Sequence, residues 1–325
     1  MENAKAGRAT REDPALRTDQ GKMISTYLKS PIVAGASTAV AGIVIGTLTI
    51  LPGIDRQQAT YTHEPAGFSA VAESHFDSYA EPGWADLSDD PRFAIVSAEG
   101  FDPEESSLSG VSSPPDADGG WIGVAKFFPS LSPGSAPINY IMTSNSAVNG
   151  RGYDEFFWAH WFQASRNHYI TSTGVNKIGF VELGKTTEPH GSSAIYWALI
   201  GGEQADSFAY AVFTQGTADA GKRFTCSGGR IIKAGQWHKM EHYARLNTVT
   251  ASGDAVPDGV FRVWVDDRLC LEVSDVRFRG TGASNVKPGD VFSRIKWNPT
   301  YSSPSPPDTM YQFMSHLYVS GSRHR

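Results

Sequence analysis

Short apolar runs, each closed by a cluster of Gly, Pro, Ser or Asp, recur through the C-terminal half of this chain and limit its fold more than any other feature. The runs are Phe156–Ala164 (FFWAHWFQA), Asn176–Leu183 (NKIGFVEL), Ala194–Ile200 (AIYWALI), Ser207–Thr214 (SFAYAVFT), Gly259–Asp267 (GVFRVWVDD), Arg268–Val273 (RLCLEV), Asp290–Trp297 (DVFSRIKW) and Met310–Gly321 (MYQFMSHLYVSG). Most are too short for a globular helix, and they are rich in the aromatic and β-branched residues that suit a pleated surface. In VFRVWVDD the alternation is explicit: Phe261, Val263 and Val265 face one way, Arg262, Trp264 and Asp266 the other. That is the pattern of a half-buried strand, and the SGDAVPDG before it has hairpin residues. With 33 Gly, 19 Pro, 17 Phe, 12 Tyr and 8 Trp, and only 19% charged residues, the composition agrees with an all-β domain.

One stretch bears on location. Pro31 to Leu51 (PIVAGASTAVAGIVIGTLTIL) is 21 residues without a charge, and about 20 suffice to cross a membrane as a helix. Arg17, Lys22 and Lys29 precede it, while Asp55, Arg56 and Glu64 follow. The positive-inside rule then keeps the N-terminus cytoplasmic and exports the C-terminal bulk. A cleaved signal peptide is the rival. The long leader and the missing A-x-A-like site favour an uncleaved, single-pass anchor. The partition is residues 1–29 as a polar cytoplasmic tail, 30–54 as the anchor, 55–67 as a stalk and 68–325 as one β-sandwich domain. Within that domain Glu99–Gly120 has the composition of a long surface loop. A net charge of −6, with no Lys/Arg cluster, gives no electrostatic footprint for nucleic acid. Cys226 and Cys270 are the only cysteines; pairing and two buried thiols both stay open.

Trp237 to Asn247 (WHKMEHYARLN) poses a choice, because His238-x-x-Glu241-His242 matches a zinc-peptidase pattern. On a helix, residues four apart rise about 6 Å along one face, and two imidazoles can share a zinc. On a strand they lie about 13 Å apart, with the glutamate on the opposite face. Neighbouring runs are all β, and no Ser, Thr, Asp or Asn caps the start, which favours a strand. A strand places Met240, His242, Ala244 and Leu246 inward and Lys239, Glu241, Tyr243 and Arg245 outward. No metal site and no cofactor are expected, and no Asp/Asn cluster has calcium-ligand spacing.

GQWHKMEHYARLNT, then DGVFRVWVDDRLCLEV, then MYQFMSHLYVSG, resemble in order the concanavalin A-like jelly rolls close to polysaccharide lyases of the alginate and glucuronan lyase type. FFWAHWFQAS and GVNKIGFV look like earlier strands of the same domain. One position departs: Ser315 stands before His316, where the closing strand of such domains often carries Asp. The resemblance implies a concanavalin A-like jelly-roll β-sandwich of two antiparallel sheets, preceded here by one transmembrane helix, with a polysaccharide as partner.

Lyase chemistry of this type removes the proton alpha to a uronate carboxylate and expels the 4-linked sugar. It needs a cation against the carboxylate, a base and an acid; a tyrosine whose pKa a neighbouring cation lowers suits the last two roles. The outward row Lys239, Glu241, Tyr243 and Arg245 is the candidate catalytic array, with Lys177 from an adjacent strand. Trp264 is the candidate glycan platform, and Arg262, His160 and Gln163 are candidate substrate contacts. Alternation alone does not fix the faces of Lys177, His160 and Gln163. A lyase acting on a uronate glycan and a non-catalytic lectin-like or surface-structural module both stay open, because fold does not determine function.

Overall fold

The strand patterning continues further than the longest runs. The computed structural model describes residues 61–88, 90–97, 121–142, 152–184, 192–201, 206–302 and 305–323. These belong to one unit, Asp55–Arg325. The apolar stretch Pro31–Leu51 and the loop Glu99–Gly120 lie outside the described residues. Among the described residues no helix is long and apolar enough to cross a membrane.

The strands are β1 (Ser69–Ser74), β2 (Phe93–Ser97), β3 (Trp121–Phe127), β4 (Tyr140–Ile141), β5 (Tyr153–Ala164), β6 (Val175–Gly184), β7 (Ser192–Ile200), β8 (Ser207–Thr214), β9 (Arg223–Thr225), β10 (Ile232–Lys233), β11 (His238–Arg245), β12 (Gly259–Val265), β13 (Arg268–Val276), β14 (Val291–Tyr301) and β15 (Met310–Arg323). The pairings are antiparallel and form two layers. The first runs β13–β12–β11–β5–β15, with β1 and β3 sharing the far edge of β15 and β2 beyond β3. The second runs β4–β14–β6–β7–β8, with β9 and β10 on the edge of β8. The two sheets meet where Tyr153 pairs with Phe292. This is the antiparallel sandwich expected from the runs.

The core lies between the inner faces. Trp158 and Phe162 of β5, Met240 and Ala244 of β11 and Phe261 and Val263 of β12 pack in one cluster with Trp197, Tyr210, Ile295 and Trp297 of the second sheet. Trp237–Asn247 is therefore strand, with the inward and outward sets that alternation gave. Its histidines have separate partners. His238 Nδ1 lies 2.8 Å from Asp266 Oδ2, its Nε2 accepts the Lys233 N–H at 2.9 Å, and His242 Nε2 lies 2.6 Å from the Tyr210 hydroxyl. The zinc-peptidase spelling is a coincidence of strand sequence.

Asp266 and Asp267, both left-handed (φ 51° and 65°), make the two-residue turn from β12 to β13. Aspartate tolerates this conformation, and such turns match the twist of paired strands. A disulfide joins Cys226, just after β9, to Cys270 in β13, linking the edges of the two sheets.

Residues 61–67, read in the sequence as stalk, lie against the outer face of the first sheet. Tyr61 is buried with Phe157, Ala159, Tyr243, Val260 and Tyr318. His63 stacks on Trp264 with ring centroids 4.8 Å apart, and Glu64 accepts a hydrogen bond from the Tyr318 hydroxyl at 2.9 Å.

Candidate active site

Each sheet has an outer face, and they differ in what their polar side chains are doing. On the first sheet the register Lys239↔Trp161, Glu241↔Ala159, Tyr243↔Phe157 and Arg245↔Glu155 keeps the expected row together on one face. Trp264 and Arg262 stand beside it on β12. Every member is already engaged. Glu241 is fully buried and accepts the His63 backbone N–H at 3.1 Å, with His63 Nδ1 2.8 Å from its other oxygen. Lys239 pairs with Asp267 at 2.5 Å, Arg262 with Glu272 at 2.7 Å, and Arg245 donates to the Asp258 carbonyl at 3.2 Å.

The Tyr243 hydroxyl donates to Glu155 at 2.5 Å. Burial, then this carboxylate, pushes its pKa well up rather than down, despite Arg245 and Arg262 nearby. His63 covers one face of the Trp264 indole. His160 lies on the inner face of β5, fully buried between Trp197 and His242, where a polymer has no access. Gln163 is on the outer face but 1% exposed.

The outer face of the second sheet is different, and Lys177 is there. A β-bulge in β6 puts it there: the pairing of β6 with β7 shifts register between Lys177 and Gly179. Simple alternation would separate Lys177 from Phe180, three residues on. The bulge brings both to the same face, with Glu182 next along. β14 is irregular at the same level, since Trp297 pairs with Gly179 but Thr300 with Lys177. Gly179 is needed for this close approach: a Cβ there would meet the Lys296 carbonyl oxygen at 2.7 Å and the Trp197 ring at 2.5 Å. Bulges of this kind re-aim side chains next to active sites.

Around Lys177 the face is aromatic and cationic. Its ammonium stands 4.4 Å from the Tyr196 ring centroid and 5.3 Å from that of Phe180. Tyr196 in turn stacks on Phe213 at 4.6 Å and 7°. Among the described residues Lys177 has no carboxylate partner, and burial lowers its pKa. Burial raises that of the Tyr196 phenol. Beside them Glu182, 2% exposed, is shared by two cations: Lys296 Nζ at 2.6 Å and Arg294 Nε. Two cations on one carboxylate leave a positive charge in excess. A half-buried lysine with no counter-ion beside an available phenol is the arrangement that proton transfer requires.

Of the expected site residues, then, the row Lys239 to Arg245 with Trp264 and Arg262 lies together on the outer face of the first sheet, where residues 61–67 contact Lys239, Glu241, Tyr243 and Trp264, while Lys177 stands on the opposite sheet. Tyr196, Glu182, Arg294 and Lys296 were not singled out in the sequence. Alternation in DVFSRIKW does put Arg294 and Lys296 on one face opposite Ile295 and Trp297, and in AIYWALI it sets Tyr196 opposite Trp197. Only the pairing of β6 with β7 and β14 unites them with Lys177.

No protein-family model matches the chain, and no curated protein matches it in sequence. Among solved structures the chain is similar to an endo-β-1,4-glucuronan lyase from the fungus Trichoderma reesei, with TM-score 0.44 and 11% identity over 78% of this chain and 96% of that one. It is similar to a marine alginate lyase from Aplysia kurodai, with TM-score 0.46 and 10% identity over 78% and 100% of the two chains. It is also similar to an alginate lyase from a Chlorella virus, with TM-score 0.38 and 14% identity over 65% and 88%.

Proposed function

We propose that this protein is a membrane-anchored, exported polysaccharide lyase that cleaves a uronic-acid-containing glycan by β-elimination on the outer face of the second sheet. The observation that carries the reading is Lys177, a half-buried lysine without a carboxylate partner, set over Tyr196 by a β-bulge. In the reaction the Lys177 amine takes the proton alpha to the uronate carboxylate, and that electron pair forms the new carbon–carbon double bond. The bond to the 4-linked oxygen breaks, and the Tyr196 hydroxyl protonates the leaving oxygen. The directions of the two pKa shifts suit these roles: burial eases Lys177 towards its neutral, basic form and keeps Tyr196 protonated as the acid. The excess charge of Arg294 and Lys296 over Glu182 neutralises the substrate carboxylate as negative charge builds in the enolate.

Export and anchoring rest on Pro31–Leu51 and its flanking charges, and the Cys226–Cys270 disulfide fits an oxidising compartment. The second reading, a glycan-binding module, is favoured by the stacked Tyr196–Phe213 pair as a sugar platform. Incubation with alginate, glucuronan, pectic and neutral glycans distinguishes the two. An ultraviolet rise from unsaturated uronate on an acidic polymer supports the lyase. Retention on a polymer in an affinity gel, without that rise, replaces it with the binding module.

A further inference from the structure

On the opposite side of the sandwich, where residues 61–67 cross the first sheet, three side chains with metal-ligand chemistry converge. Glu73 is near the end of β1, and His75 follows two residues later, a spacing that keeps both on one face of an extended segment. His316 arrives from β15 through a break in pairing: Ser315 pairs with Trp161 and Tyr318 with Ala159, so two residues bulge between them. His316 itself is left-handed, with φ 45°. That conformation is uncommon for a residue with a side chain, and it gathers at sites where surrounding structure enforces it.

The result is compact. His316 Nε2 lies 2.6 Å from Glu73 Oε1 and His75 Nε2 lies 3.3 Å from the same oxygen. One donor atom from each residue lies within 4.8 Å of the others. The second nitrogen of His316 is also accounted for. The Tyr61 hydroxyl donates its proton to the His316 carbonyl oxygen at 2.7 Å and lies 3.2 Å from His316 Nδ1. A divalent ion placed between the His316 Nε2 and Glu73 Oε1 atoms would be bound by both. An outer partner to the second nitrogen of a histidine is a regular companion of metal ligation, and Tyr61 is such a partner here.

We propose that Glu73, His75 and His316 bind a divalent zinc-class cation that ties β1 and the β15 bulge together beneath Tyr61. Two imidazole nitrogens and one carboxylate oxygen form a known three-ligand zinc set, with a fourth position for water. Ligands about 2.1 Å from a tetrahedral ion stand roughly 3.4 Å apart. The His75–Glu73 separation already fits. The His316–Glu73 contact opens by less than about 1 Å. His75, stacked on His316 with rings 4.7 Å apart and with a side chain 39% exposed, turns its ring to aim at the same point. The site does not depend on the proposed lyase activity, since it lies on the other sheet from Lys177.

The test uses the full-length protein, stripped with a chelator and dialysed against zinc in one arm and calcium in the other. Metal content, melting temperature and the visible spectrum of the cobalt form are then measured. The expected result is one tightly held zinc per chain, a melting temperature raised by zinc and not by calcium, and the visible bands of tetrahedral cobalt. His75→Ala and Glu73→Gln should each weaken zinc binding at least tenfold and abolish the thermal shift. His75→Ala, being a surface change, should leave the metal-free melting temperature unchanged. Wild-type protein that retains no stoichiometric zinc, or variants that hold it as tightly as wild type, would overturn the proposal and leave an imidazolium–carboxylate pair.

Discussion

Among the described residues three histidines are fully buried, and each makes the domain sensitive to mild acid. Burial lowers His160 from 6.5 to about 3 and His168 to about 4. His242, buried and close to His160, is lowered well below its usual value. The sign follows from proton counting. Above pH 6.5 both folded and unfolded chains hold these rings neutral, so there is no effect. Below it the unfolded chain binds protons that the folded chain refuses, and stability falls until pH nears the folded pKa values. His160 and His168 each contribute up to about 1.4 kcal/mol per pH unit, and His242 acts in the same direction. Between pH 6.5 and 5 the loss from His160 and His168 alone is roughly 3 kcal/mol, a large fraction of the stability of many domains. Most carboxylates are still ionised in that window, so the histidines dominate it.

Urea unfolding at several pH values, compared with His160→Met, measures this contribution directly. Methionine has a similar volume and removes two ring nitrogens that have no hydrogen-bond partner. The variant should gain about 2 kcal/mol relative to wild type between pH 6.5 and 5, through a shallower slope. Parallel pH profiles for the two proteins would refute the argument that His160 is buried neutral.

The remaining predictions concern the disulfide and the bulge. Replacing both Cys226 and Cys270 by Ala, which opens a loop of sequence separation 44, should cost about 4 kcal/mol by the chain-entropy relation; equal stability of the variant and the oxidised wild type would contradict it. Gly179→Ala should cost about 1–3 kcal/mol and lower activity, because the backbone of β14 must shift away from the new methyl group. Lys177→Met should lower activity about 100-fold yet raise the melting temperature at neutral pH. Burial disfavours the ammonium, so the gain is largest below the lowered pKa and disappears above 10.5; a thermal scan at pH 7 and pH 11 checks the sign.

Most of the sandwich was legible in the sequence because its long strands are apolar, aromatic and β-branched runs closed by turn residues. Ser207–Thr214 has the same bounds in sequence and structure, and β12 and β15 start where their runs do. The opening of β11 remained ambiguous because its residues are good helix formers; long-range pairing with β5 and β12 decides it, not propensity. β4, β9 and β10 went unread, since a two- or three-residue strand has no period to detect; β1, β2 and β3, of five to seven residues, went unread as well. The candidate site was harder. Lys177 could be named, but its face depends on a bulge that resets the alternation at Gly179. The engagement of the Tyr243 row depends on Tyr61–Glu64, nearly two hundred residues away. No local pattern carries either fact.

The most direct test of the account separates the two outer faces. On whichever acidic polymer is cleaved, the unsaturated-uronate absorbance should be followed for wild type, Lys177→Met, Tyr196→Phe and Tyr243→Phe, with melting temperatures to confirm folding. The account predicts about 100-fold losses for the first two variants and a rate near wild type for Tyr243→Phe. Full activity in Lys177→Met, with loss in a folded Tyr243→Phe, would put the chemistry on the first sheet and contradict it.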